Sequence, residues 1–210
     1  MKDGICFIFG AGEYFKQPPE PKPGDFVIAA DGGYAYLESN KIPVNLFVGD
    51  FDSSDRIPDN TEKITLPQMK NETDTAAAIE AGLERGYRVF HIYGGTGGRL
   101  DHTLANIQCI AGLAERKASG FLFAEDTVIT AVRNGALSFP AGARGIVSVF
   151  AAGGDAIGVN EEGLKYSLKD AVLKNTRPVG VSNEFTGLPA EISVREGTLI
   201  VIFPKNVTPL

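Results

Sequence analysis

The chain has 210 residues and a formal net charge of −6, with 43% hydrophobic and 22% charged residues. That length supports one large domain, or a medium and a small one, with a self-sufficient core, and the composition excludes a disordered, fibrous or repeat protein. The acidic balance argues against nonspecific nucleic-acid binding, which rests on Lys and Arg neutralising phosphates, so an anionic substrate here needs local help from a metal ion or a helix N-terminus.

In chain order, residues 5–9 read as a first strand stopped by Gly10-Ala11-Gly12. It lacks a cleavage site, so a strand fits better than a secretory signal. No apolar stretch approaches the ~20 residues of a membrane span, so no membrane association is expected. Cys6 and Cys109 lack a CxxC spacing and read as free thiols in a reducing compartment, which places the protein in the cytoplasm. The segment 13–24, with four prolines, reads as a surface loop.

A second strand over 26–30 leads into Asp31-Gly32-Gly33 and a helix over 34–39. The strand 46–48 ends in Gly49-Asp50-Phe51-Asp52-Ser53, which lifts two carboxylates and a hydroxyl off the end of a buried strand, where open α/β sheets keep their chemistry. A strand over 63–66 precedes a helix over 74–85, with Thr73 as its N-cap and Gly86 at C′. The strand 89–93 opens into Gly94-Gly95-Thr96-Gly97-Gly98-Arg99-Leu100-Asp101-His102 and a helix over 101–116, and strands over 121–124 and 128–132 follow. After Arg133-Asn134-Gly135 the texture changes to short runs at 146–151, 190–195 and 198–203, with Glu196-Gly197 as a hairpin-type connection. The expected fold is an α/β protein: an N-terminal open, mostly parallel sheet domain over 1–133, then a small C-terminal antiparallel β-sandwich domain over 134–210.

Asp50 and Asp52, with Asp31 and Asp74 on neighbouring strand ends, supply hard oxygen ligands suited to Mg²⁺, and the lack of a His cluster argues against zinc. Backbone amides in Gly94 to Gly98, running into a helix start, suit phosphate oxygens. Arg99 is a natural partner for charge on a transferring phosphoryl group, and Lys70 serves as a second cation. The loop is neither a Walker A motif, since no Gly-Lys-Ser/Thr follows, nor a first-strand GxGxxG. Gly10-Ala11-Gly12 reads as a tight turn, His91 as a core residue, His102 as a hydrogen-bonding group in the site, and Asp101 as a helix-start carboxylate with room for a site role.

The order DGG at 31–33, GDFDS at 49–53, Lys70 followed by Thr73-Asp74, and GGTGGRLDH at 94–102 resembles the thiamine pyrophosphokinase family. Gly163-Leu164-Lys165-Tyr166-Ser167-Leu168 and Ser182-Asn183-Glu184-Phe185 look like the two motifs of that family's C-terminal domain. The resemblance implies a homodimer that moves the pyrophosphoryl group of ATP onto the hydroxyethyl oxygen of thiamine, giving thiamine diphosphate and AMP. It implies Asp50, Asp52 and Asp74 as Mg²⁺ ligands, with Asp31, Gly32, Lys70, Thr73, Gly95, Gly97, Arg99, Asp101 and His102 around the nucleotide phosphates. Tyr166, Ser182 and Asn183 would contact thiamine, Tyr166 by its ring and the other two by polar groups. Asn71 stands where many members carry an acidic residue, and Tyr166 where others carry Trp; either ring stacks on a cationic heterocycle. Two other readings start from the same residues. One is an aspartyl-phosphate phosphohydrolase with Asp50 as nucleophile and Asp52 as acid, and the other is an inactive nucleotide or thiamine sensor.

Overall fold

The computed structural model describes residues 2–15, 18–49, 62–65 and 72–210. Asp50, Asp52, Lys70 and Asn71 lie outside the described residues. The chain divides into two compact units, Met1–Cys109 with Leu122–Ala124, and Ile110–Phe121 with Glu125–Leu210.

The first unit holds strands β1 (Ile5–Phe9), β2 (Phe26–Ala30), β3 (Leu46–Gly49), β4 (Glu62–Thr65) and β5 (Val89–Tyr93), with helices α1 (Gly33–Ser39) and α2 (Asp74–Glu84). The strands run in the order β5-β1-β2-β3-β4, every neighbouring pair parallel. β1 and β2 read as unbroken apolar runs because a parallel sheet is covered on both faces. Alternate residues serve the two faces: Phe7 and Phe9 pack in a cluster with Leu37 of α1, while Cys6 lies against α2. Gly82 of α2 permits that approach, since a Cβ there would meet Phe90 Cε1 at 2.6 Å and Cys6 Sγ at 2.8 Å. Cys6 is therefore a packing residue, and burial pushes its thiol up to about 12.

Both ends of α2 form as local chemistry dictates. Thr73 Oγ1 accepts a hydrogen bond from Ala76 N at 3.2 Å, satisfying one of the free amides of the first turn. Gly86 takes φ +90°, which lets the chain leave the helix in the left-handed region without a Cβ penalty.

Helix α3 (Leu100–Glu115) and strand β6 (Ser119–Phe123) carry the chain between the units. The second unit contains β7 (Thr127–Arg133), β8 (Ala136–Phe139), β9 (Arg144–Glu162), β10 (Leu168–Leu173), β11 (Gly180–Thr186) and β12 (Ala190–Pro204). All their mutual pairings are antiparallel: β9 pairs with β10, β11 and β12, and β12 also pairs with β7 and β8. Phe139 packs edge-on against Phe185 and Phe203 with centroids 4.9 and 5.2 Å away.

Glu196-Gly197 is not a hairpin connection, because β12 runs without interruption from Ala190 to Pro204. Gly197 takes φ +109° at a register shift within the strand, where residues 153–156 of β9 lie opposite it between the pairs Glu196–Ile157 and Thr198–Ala152, so the irregularity is a bulge of the ladder and not a turn. Asn134, in the β7–β8 turn, holds it: Gly197 N donates to Asn134 Oδ1 at 2.9 Å and Asn134 N donates to Gly197 O at 3.2 Å. A Glu-Gly pair has the same local signature in a bulge as in a turn, and the long-range partner decides. The change of texture at Asn134 thus falls inside the second unit.

No helix among the described residues is long and apolar enough to cross a membrane.

Candidate active site

Since β5, β1, β2 and β3 are parallel neighbours, their C-terminal ends set residues 94–98, 10–12 and 31–33 side by side with Gly49, the last residue of β3. Connections depart in opposite directions from β1 and β5, so the switch point of the sheet lies between the first two segments.

These loops are fastened to one another. Gly10 N donates to Tyr93 O at 2.8 Å, Gly12 N to Gly94 O at 2.7 Å and Glu13 N to Thr96 O at 2.9 Å. A Cβ on Gly12 would sit 2.6 Å from both Gly94 O and Thr96 O, so only glycine allows the two loops to lie this close. Tyr14 closes the arrangement, donating its hydroxyl to Gly10 O and stacking on Tyr36 with ring centroids 3.7 Å apart. Burial pushes the Tyr14 phenol up, and it stays a neutral donor. From the other side, buried Asn106 of α3 donates Nδ2 to Gly95 O at 2.8 Å. The Gly10-Ala11-Gly12 amides at both glycines are thereby spent on the neighbouring loop, and the segment is a clamp for the second glycine-rich loop. Thr96, inside that loop, is buried with its Oγ1 unpartnered among the described residues.

Asp31 directly follows β2, exposed, with φ +48° and its N bonded to Val48 O at 2.8 Å. A non-glycine residue in that region is strained, and here a backbone bond to β3 holds it. Gly32 and Gly33 lead into α1, where a Cβ on Gly33 would overlap Phe9 O. Gly49 lies beside Asp31: a Cβ on Gly49 would sit 3.4 Å from the Asp31 Cα, ordinary contact distance. β3 therefore ends beside Asp31. Thr73 and Asp74 open α2 after β4, with Asp74 in the first turn, where the helix dipole favours an anion.

Arg99 immediately precedes α3, and Thr103 N donates to its carbonyl at 3.2 Å. Its guanidinium is turned onto Asp101, Nε to Oδ1 at 3.2 Å and Nη2 to Oδ2 at 2.6 Å, and both groups are exposed. The Arg99 hydrogen bonds hold the Asp101 carboxyl below the usual carboxylate range. Asp101 Oδ1 also accepts from His102 N at 3.0 Å, and His102 is exposed. His91 lies between Phe7 and Phe123, at 5.4 and 5.1 Å, as a packing residue.

In the second unit, Tyr166 is 60% exposed, with Lys165 Nζ 5.5 Å from its ring centroid. Ser182 is exposed at φ +61°, within an irregular register between Gly180 and Asn183 of β11. Asn183 is buried beneath Tyr166 and bonded to buried Glu161.

Sequence reasoning identified Asp31, Gly32, Gly95 and Gly97, and the structure sets them on one edge of one sheet. It read Gly10-Ala11-Gly12 as a tight turn and did not single out Tyr14, Asn106 or Glu161. Asn106 carried the one usable signal, an amide on the otherwise apolar stripe of a helix that starts beside the loop.

Two family models match the chain in succession: "Thiamin pyrophosphokinase, catalytic domain" over residues 22–122 and "Thiamin pyrophosphokinase, vitamin B1 binding domain" over residues 139–199. A thiamine pyrophosphokinase of Bacillus subtilis (strain 168) is 35% identical over 85 residues, a segment spanning 38% of this chain and 39% of that protein. The crystal structure of thiamine pyrophosphokinase from Bacillus subtilis has the same fold, with a TM-score of 0.81 at 22% identity, over 96% of this chain and 99% of that one. That of a thiamin pyrophosphokinase family protein from Enterococcus faecalis gives 0.80 at 26% identity, over 97% and 100%.

Proposed function

This chain belongs to the thiamin pyrophosphokinase family, and from that premise we propose that it transfers the pyrophosphoryl group of ATP to the hydroxyethyl oxygen of thiamine, giving thiamine diphosphate and AMP. The observation that carries the reading is the succession of a catalytic and a vitamin B1 binding match along one chain, each falling on its own set of motifs. The phosphohydrolase alternative leaves the loop at 94–98 and the second unit without a role.

In this reading residues 1–133 take the nucleotide and 134–210 take thiamine and dimerise, in the cytoplasm. The donor set fits Mg²⁺ because it is made of carboxylates: Asp50, Asp52 and Asp74, with Asp31 as a further carboxylate after a neighbouring strand in the sequence. Held by these carboxylates, Mg²⁺ would supply charge neutralisation at the reacting phosphates. The amides of Gly32, Gly95 and Gly97, and Lys70, Thr73 and His102, hold and orient the nucleotide. Arg99 exchanges Asp101 for a phosphate oxygen, and Asp101 stores the guanidinium within reach. Thiamine lies on the Tyr166 ring, with Ser182 as a polar contact. The transition state is loose, so alignment and charge neutralisation contribute more than a strong base. A carboxylate, Asp52 or Asp74, accepts the hydroxyl proton late.

Phosphorus NMR after incubation with ATP, Mg²⁺ and thiamine tests the proposal. AMP and thiamine diphosphate in equal amounts are expected, and free phosphate with unmodified thiamine would refute it.

A further inference from the structure

Asn183 has no hydrogen-bonding capacity left for a ligand. Its Nδ2 donates to Glu161 Oε2 at 2.7 Å and to Tyr166 O at 2.7 Å. Its Oδ1 accepts from Tyr166 N at 3.0 Å and from Glu184 N at 2.9 Å. An asparagine amide offers two N–H donors and a carbonyl oxygen with two lone pairs, so all four positions are taken. The residue is 5% exposed and Glu161, beneath it at the end of β9, is 1% exposed.

The bonds have a geometric purpose. Residues 164 and 165 run along β11, with Leu164 bridged to Phe185 and Lys165 N donating to Glu184 O at 3.0 Å. At Tyr166 the side chain of Asn183 takes over from the strand and grips both backbone groups of that one residue. A flipped amide would set Oδ1 against the Glu161 carboxylate and Tyr166 O, so Glu161 fixes which way the amide faces. A buried carboxyl is costly, and Glu161 Oε1 has no partner among the described residues. Burial pushes its pKa up while the Asn183 bond opposes the rise. An apolar side chain in its place would remove that cost but leave an N–H of the buried Asn183 amide without an acceptor.

We propose that Asn183 and Glu161 are a positioning pair that fixes Tyr166 for thiamine, and that Asn183 acts through that ring rather than on the substrate. This rests on the reading of Tyr166 given above. The test is a double-mutant cycle on the full chain, with Glu161→Leu and Tyr166→Ala alone and together, and KM measured for thiamine and for ATP. Glu161→Leu should raise the thiamine KM about tenfold with kcat and the ATP KM unchanged, and should add nothing once Tyr166 is Ala. Glu161→Gln, which keeps an acceptor for Nδ2, should stay near wild type. Should Glu161→Leu not fold, Asn183→Ala replaces it in the same cycle. Effects that multiply in the double variant would overturn the proposal, as would a fall in stability with no change in thiamine KM. If the wild-type chain shows no turnover, the reaction reading fails by itself, and the pair is judged by hydrogen exchange. The Tyr166 amide should then exchange about tenfold faster in Glu161→Leu, and unchanged exchange would overturn the pair.

Discussion

Replacing Gly12 by Ala tests whether the two glycine-rich loops work as one object. The new Cβ would lie 2.6 Å from Gly94 O and 2.6 Å from Thr96 O, against the 3.4 Å at which ordinary contact begins. Both obstacles are backbone atoms, so no side chain can swing away, and one loop must retreat by about 0.8 Å. The retreat also stretches the Gly12 N to Gly94 O bond, now 2.7 Å. Overpacking of this kind costs about 1–3 kcal/mol. For a chain of this size that lowers Tm by roughly 2–12 °C. The functional effect should be larger than the stability effect suggests, because a displacement near 1 Å of a group that orients reacting atoms costs about a hundredfold in rate. Steady-state kinetics with ATP varied at saturating thiamine, alongside thermal unfolding, should show kcat/KM for ATP falling by about 10–100-fold while the variant remains folded. Gly112→Ala in α3 is the matched control. Nothing lies within 4 Å of the point its new Cβ would occupy, so it should gain about 0.5–1 kcal/mol from helix propensity with unchanged kinetics. Wild-type activity and Tm in Gly12→Ala would refute the coupling of the loops.

Acidification should destabilise the protein through His91, whose pKa burial lowers from 6.5 to about 4. A depressed folded pKa means that this stability is fully present above pH 6.5 and is lost as pH falls toward 4, about 3 kcal/mol in all. Urea unfolding of wild type and His91→Gln across that range should show the variant losing less by that amount, and parallel curves would refute the assignment. Asp74→Asn should cut kcat by at least about a hundredfold. Its loss of dipole stabilisation, about 0.3–1 kcal/mol, should leave Tm within a few degrees. Activity near wild type would remove Asp74 from the metal site. Thr73→Ala should cost about 1 kcal/mol through the lost cap to Ala76 N, read as a Tm drop of about 2–4 °C.

Strands β1, β2 and β3 of the first unit were legible because they are buried on both faces and so appear as apolar runs, whereas β4, at the end of the strand order, is mostly exposed and carries charged residues. β1, β2 and β5 coincide with their expected bounds, and α2 begins at the Thr73 cap and ends before Gly86 as its local chemistry requires. Boundaries blurred where long-range pairing overrides local preference. β9 continues through Gly153, Gly154 and Gly158, and β12 through Gly197, because neighbouring strands absorb the bends as bulges. β10 and β11 carry mixed polar residues on exposed faces, so they lacked the alternation that marks a strand.

The candidate site divides in the same way. Which residues can bear the chemistry was written in local order: acids at strand ends, glycines before a helix, an arginine beside them. Side-chain type and backbone freedom are properties of a short segment, and a short segment displays them. Which of those residues are engaged, and with what, depends on groups far apart in the chain. Gly12 had to meet Thr96 before its role as a clamp could be seen, and Asn183 had to meet Glu161 and both backbone groups of Tyr166 before it could be recognised as saturated. A hydrogen bond or a steric limit belongs to a pair of atoms, and only the folded chain brings such pairs together.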